Sequence, residues 1–128
     1  VLEAVRRVAQ RTAPLRLSLG KVGTFRPVRP VVYLGFRRGT GDLRSLHRKL
    51  ARAPLRAEEA FPYVPHLTLG QNLNDRRLRK ALELSRKIFA DAGTARTWPA
   101  DSLVVVERRS ERRWILLGPL SLAGTRRP

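Results

Sequence analysis

Hydrophobic positions change their period several times along the chain, and each change marks an element. Leu2, Val5, Val8 and Ala9 recur at helical spacing with Glu3, Arg6, Arg7 and Gln10 between them, so residues 1–12 read as an amphipathic helix. Pro14 ends it, since proline cannot donate the backbone hydrogen bond that the next turn needs. Leu15-Arg16-Leu17-Ser18-Leu19 alternates as a half-buried strand does. Gly20, Gly23 and Pro27 then predict a turn or irregular edge before Val31–Phe36, a more apolar run that reads as a central strand. Beyond Gly39 and Gly41, Thr40 or Asp42 caps a helix whose stripe is Leu43, Leu46 and Leu50 and which Pro54 stops.

The next segment, 54–63, reads as a loop carrying Glu58 and Glu59, followed by a third strand from Val64 to Leu69. Asn74 or Asp75 caps a longer helix to Ala90, with Leu78, Leu82 and Ile88 or Phe89 turned inward and Gly93 as terminator. Leu103–Glu107 and Trp114–Leu117 flank the charged run Arg108–Arg112 and predict a hairpin with a loop of four to six residues. Leu120 and Leu122 form one further apolar patch before the chain frays into Thr125-Arg126-Arg127-Pro128. Helix, strand, strand, helix, strand, helix, strand, strand is an α+β order, with helices over one face of an antiparallel or mixed sheet.

With 128 residues, 42% of them hydrophobic, the chain suits one domain. We assign residues 1–123 to it and 124–128 to a flexible basic tail. No apolar run is long enough to cross a membrane and no secretory h-region is legible, so a cytoplasmic protein is expected. The chain begins at Val1 and contains no methionine, which is compatible with a removed initiator or with residues upstream. The absence of cysteine excludes disulfides, thiolate catalysis and cysteine metal sites, and leaves the redox compartment open. Twenty-seven Lys and Arg stand against ten Asp and Glu, a net charge of +17 that favours a polyanionic partner. Most of the cations are arginines, suited to bidentate phosphate contacts, but they are spread along the chain.

Two histidines are present, His47 and His66. On a strand, His66 and Thr68 would leave the same face along with Val64, while Leu67 and Leu69 would enter the core. Histidine titrates near neutrality, within reach of either acid or base work, and a threonine hydroxyl can donate to a phosphoryl oxygen. The plainer reading makes Thr68 a good strand former and His66 a boundary residue. His47, at the edge of the Leu43–Leu46–Leu50 stripe, reads as a helix-boundary residue. No Ser-His-Asp arrangement or metal-ligand spacing is legible, so neither a metal nor a cofactor is expected. Gly39-Thr40-Gly41 lacks the lysine and longer loop of a phosphate-binding fingerprint. Trp98, Trp114, Tyr33 and Phe36 could stack bases, although Trp114 and Phe36 lie in strand patterns that suit a core at least as well; Tyr63 is placed to line the rim of a site.

The run Tyr63-Val64-Pro65-His66-Leu67-Thr68-Leu69-Gly70 resembles the second His-x-Thr motif, with its preceding proline, of the 2H phosphoesterase superfamily. The likeness is to its bacterial RNA 2′,3′-cyclic phosphodiesterases, also called 2′-5′ RNA ligases. Leu15-Arg16-Leu17, Gly20–Phe25 and Arg29–Gly35 resemble the strand, glycine turn and strand between the two motifs, and Gly118–Leu122 resembles the last strand. The resemblance implies a fold in which two such motifs face each other across a cleft. One histidine serves as base, the other as acid, and the hydroxyls hold the phosphate, with no metal. Only His66 and Thr68 match the pattern here, and the family's order would put the first motif before the opening helix. The expected fold is therefore incomplete at its N-terminus, with an uncovered sheet edge open to self-association. Gln71 stands where many members carry an arginine, and Arg37, Arg38 or Arg76 could supply that charge.

The implied activity opens 2′,3′-cyclic phosphate ends of RNA, or small cyclic nucleotides, to 2′-phosphomonoesters, with this chain contributing one half-site. The alternatives are an inactive RNA-binding remnant of the same fold, or a dimer that brings two copies of His66 together.

Overall fold

A computed structural model describes residues 1–52, 55, 58–90 and 97–126. The expected helix terminators Pro54 and Gly93, and the last two residues of the tail, lie outside the described residues. The elements are α1 (Leu2–Gln10), β1 (Leu15–Thr24), β2 (Val32–Arg38), α2 (Thr40–Arg52), β3 (Leu67–Gly70), α3 (Asp75–Ile88), β4 (Trp98–Ala100), β5 (Ser102–Ser110) and β6 (Arg113–Ser121). One sheet has the order β3-β2-β1-β4, β5 and β6 form a separate hairpin, and every pairing is antiparallel. The α+β class is as expected.

The main core joins Val5 and Ala9 of α1, Leu15 and Leu17 of β1, Leu46 of α2, and Leu120 and Leu122. On β2, Val32 and Leu34 are fully buried, as is Leu78 of α3, and α3 contacts both β1 and β2. Each such side chain contributes roughly 1.5–3 kcal/mol by leaving water. At the start of α3, Asn74 Oδ1 accepts from the Arg77 backbone N–H at 2.9 Å. Asp75 in its first turn and Arg86 and Lys87 in its last oppose the helix dipole favourably.

Several boundaries differ from the sequence reading, each for a physical reason. β1 does not stop at Leu19 but runs through both glycines, with register shifts on either side of Leu19. A Cβ on Gly20 would sit 2.9 Å from the Phe36 carbonyl carbon, and one on Gly23 would meet the Tyr33 ring at 2.7 Å. These glycines therefore serve close approach to β2 rather than a turn. The short β4 was not anticipated, because a central proline argues against a strand; it lies at the sheet edge, where proline is tolerated. The hairpin closes through the two residues Glu111 and Arg112, with Ser110 opposite Arg113. β6 runs on to Ser121, so Leu120 belongs to a strand and is buried. Trp114, by contrast, is 57% exposed and is no core residue.

After β6 the chain returns to α1. Ala123 N–H donates to the Ala9 carbonyl at 3.2 Å and Gly124 N–H to the Thr12 carbonyl at 3.0 Å, satisfying acceptors at the helix end. Arg126 reaches the Pro14 carbonyl at 3.2 Å and the Asp42 carboxylate at 3.6 Å.

Candidate active site

Pro65 has no N–H to give a sheet ladder, and β3 begins only at Leu67. His66 therefore stands one position before the strand rather than on it. Its ring is held from three directions. Nδ1 lies 2.6 Å from the Val64 carbonyl, the Phe25 ring meets it edge-on at 4.9 Å, and the Tyr33 ring at 5.6 Å. Phe25 and Tyr33 stack on each other with centroids 4.4 Å apart. A carbonyl only accepts, so Nδ1 carries the proton and Nε2 is left as the nitrogen that can exchange one. The imidazole itself remains solvent-exposed.

Thr68 pairs with Tyr33 across β2 and β3, and directly opposed residues share a face of the sheet. The hydroxyl-bearing residue and the aromatic wall of the His66 ring thus lie on one side. Leu67 pairs with Leu34 on the other side, as expected, yet Leu67 is 46% and Leu69 40% exposed. They are not core residues, because β3 is at the edge of its sheet among the described residues.

The preceding segment is tied to α2. Tyr63 stacks face to face on His47, centroids 3.9 Å apart and planes within 5°. His47 Nε2 donates to Glu59 Oε1 at 2.5 Å. Burial raises the Tyr63 phenol above its ordinary pKa, and the Glu59 carboxylate adds to the shift, so the phenol stays protonated across the neutral range. His47 is thus more than a helix-boundary residue. Its partners come from a loop twelve or more positions away, a contact no local pattern discloses.

His66 lines one of two hollows that share Val64 in their walls. One, of about 720 Å³, is lined mainly by apolar and aromatic groups including Phe25, Val28, Phe61 and Tyr63, with His66, Arg29, Glu58 and Glu59 as its polar members. The other, of about 680 Å³, is lined by Gly20, Gly23 and Gly35 together with Lys21, Arg37 and Arg44, with no carboxylate among its described residues. Of the residues picked out in the sequence, His66 and Tyr63 line the first hollow and Arg37 the second. Thr68 adjoins through Tyr33, whereas Arg38, at the end of β2, and Arg76, in the first turn of α3, are exposed and line neither. Phe25, Lys21 and Arg44 were not singled out. Among the described residues, no three His, Cys, Asp or Glu side chains gather where they could hold a metal ion.

The family model described as the 2′-5′ RNA ligase superfamily matches residues 1–112. A Bacillus cytotoxicus protein named "Putative phosphoesterase" is 36% identical over 75 residues, which is 59% of this chain and 43% of that protein. Proteins of the same name from Bacillus cereus strain AH820 and Bacillus mycoides are 35% identical over the same shares. The matched stretch thus spans less than half the length of these relatives.

Proposed function

Since the chain belongs to the 2′-5′ RNA ligase superfamily of phosphoesterases, we propose that it opens 2′,3′-cyclic phosphate ends of RNA to 2′-phosphomonoesters without a metal. The observation that carries this reading is His66, whose Nδ1 is occupied by the Val64 carbonyl while Nε2 is left to exchange a proton, with Thr68 two positions further along the chain. Water attacks phosphorus, the P–O3′ bond breaks, and O3′ leaves with a proton as the 3′-hydroxyl. The products are one 2′-phosphate and one free hydroxyl. His66 moves one of the two protons, either taking it from the attacking water or delivering it to O3′. Thr68 donates to a phosphoryl oxygen, and Tyr63 and Arg37, which line the two hollows, are the supporting substrate and phosphate contacts; Arg38 and Arg76, which line neither, are left out of them. The proton at the other oxygen is handled by a group other than His66, so His66 and Thr68 form one half-site. His47 does not supply the other while it is engaged by Tyr63 and Glu59.

Product analysis tests the reaction. With EDTA present, a cyclic-phosphate-ended oligonucleotide is expected to yield only the 2′-phosphate. A mixture of 2′- and 3′-phosphates, or loss of turnover on chelation, contradicts the proposal. The limb of the pH–rate profile that His66→Ala removes assigns the role: loss of the acidic limb makes His66 the base, and loss of the alkaline limb makes it the acid.

A second reading, RNA binding without turnover, rests on the net charge of +17. It predicts affinity that falls steeply with salt and is insensitive to His66→Ala.

A further inference from the structure

Resting on the proposed reaction, we infer that His47 is a positioning residue for it. Through Tyr63 it fixes the Val64 carbonyl, and with that carbonyl the tautomer of His66 that exchanges its proton at Nε2. Whether His66 acts as acid or as base, the neutral ring must carry its hydrogen on Nδ1. The edge contacts of Phe25 and Tyr33 hold the imidazole in place, but they do not choose which nitrogen bears the hydrogen. Among the described contacts that choice belongs to the Val64 carbonyl, 2.6 Å from Nδ1.

The sheet does not hold that carbonyl. β3 pairs with β2 only from Leu67 onward, and Pro65 has no N–H with which to fix the peptide that it shares with Val64. The segment is anchored instead at Tyr63, whose ring lies flat on His47, centroids 3.9 Å apart and planes within 5°. His47 is itself fixed from two sides. Its Nε2 donates to Glu59 Oε1 at 2.5 Å, which ties down the loop leading into Tyr63. On α2 it follows Leu46, which the main core buries. Thr40, Arg44 and His47 share one face of that helix by their spacing, and Thr40 and Arg44 line a hollow together with Val64 and Pro65. This face of α2 therefore backs residues 63–65. Only three positions lie between the stack at Tyr63 and the imidazole of His66, so a shift at one reaches the other. A displacement of about 1 Å at a reacting group can cost about 10²-fold in rate.

The test compares the unaltered protein with His47→Ala and with His47→Gln, whose planar amide keeps a donor toward Glu59 and a flat surface for Tyr63. With adenosine 2′,3′-cyclic phosphate, kcat should fall about ten- to a hundredfold in His47→Ala while KM moves less than about twofold. His47→Gln should recover most of that loss. Nitrogen NMR of protein containing isotope-labelled histidine, recorded on the alkaline side of the histidine range, reads the tautomer directly. The two ring nitrogens of His66 should be well separated in the unaltered protein, since one bears the hydrogen and the other a lone pair. In His47→Ala they should move toward each other as the tautomers mix. A purely structural role would lower the melting midpoint and leave kcat and the His66 resonances of the folded protein unchanged; that result overturns the inference, as does a change confined to KM. If the unaltered protein turns over no cyclic nucleotide, the proposed reaction fails, and the resonances, which need no turnover, still decide the positioning. Converging nitrogens in His47→Ala uphold it, and an unaltered pair overturns it.

Discussion

His66 shows what a short motif discloses and what it hides. Its neighbourhood with Thr68 was legible, because proline, histidine and threonine stand at fixed spacing ahead of an apolar run. Its placement was not: Pro65 delays the strand, and besides the Val64 carbonyl the ring is held by Phe25, just past the end of β1, and by Tyr33 of β2. Removing the Thr68 hydroxyl should be milder than removing the imidazole. Thr68→Val, which keeps the strand shape, is expected to lower kcat about tenfold, roughly one charge-assisted hydrogen bond, with KM for a cyclic nucleotide rising less. A change in neither parameter would remove Thr68 from the reaction. At Tyr63 the sign of the pH effect follows from its raised pKa. Below the ordinary phenol value of about 10 both folded and unfolded chains carry the neutral ring, and stability is unaffected. Above it the unfolded chain ionises first, so stability declines as pH rises through the higher folded value. Denaturant melts across alkaline pH should show that decline, and Tyr63→Phe should reduce it.

Among the elements, the three helices and the longer strands were readable from period and caps, and the errors fall where tertiary contact overrides the local rule. Glycines inside β1 look like turn residues until β2 is laid against them. Leu120 and Leu122 look like a loose patch until α1 is placed beneath them, and Trp114 follows a core pattern yet is 57% exposed, with the Arg108 guanidinium over its ring. The return of the chain to α1 gives a sharp prediction. A Cβ on Gly124 would fall 2.5 Å from the Arg11 carbonyl carbon and 2.7 Å from its oxygen. Backbone cannot give way cheaply there, so Gly124→Ala is expected to cost roughly 1–3 kcal/mol in a denaturant melt. An unchanged midpoint would mean that the strap is not held in this position. The link between α2 and the histidine loop is weaker, being half-exposed. His47→Ala should speed amide exchange over 58–66 about fivefold, on the order of 1 kcal/mol, without moving the global melt by more than that. Uniform exchange across the two proteins would show that His47 does not hold the loop.

At the scale of the whole molecule, the net charge and the unpaired strands pull in opposite directions. β3 and β4 end the larger sheet, and the hairpin exposes Val104, Val106, Trp114 and Leu116. The +17 charge repels a second copy of the chain at low salt. Sedimentation is expected to show a monomer at low salt and association as the charges are screened, with Leu116→Glu suppressing it; a monomer under both conditions would mean that these surfaces do not pair with each other.

The central claim is that His66 carries acid–base chemistry on a cyclic phosphate. It is tested most directly by hydrolysis of a 2′,3′-cyclic nucleotide with EDTA present, comparing the protein with His66→Ala. We predict turnover that yields the 2′-phosphate and falls by about 10²–10⁴-fold in the variant while its fold and RNA affinity are retained. Turnover that survives the substitution, or folded protein that shows none, would contradict it.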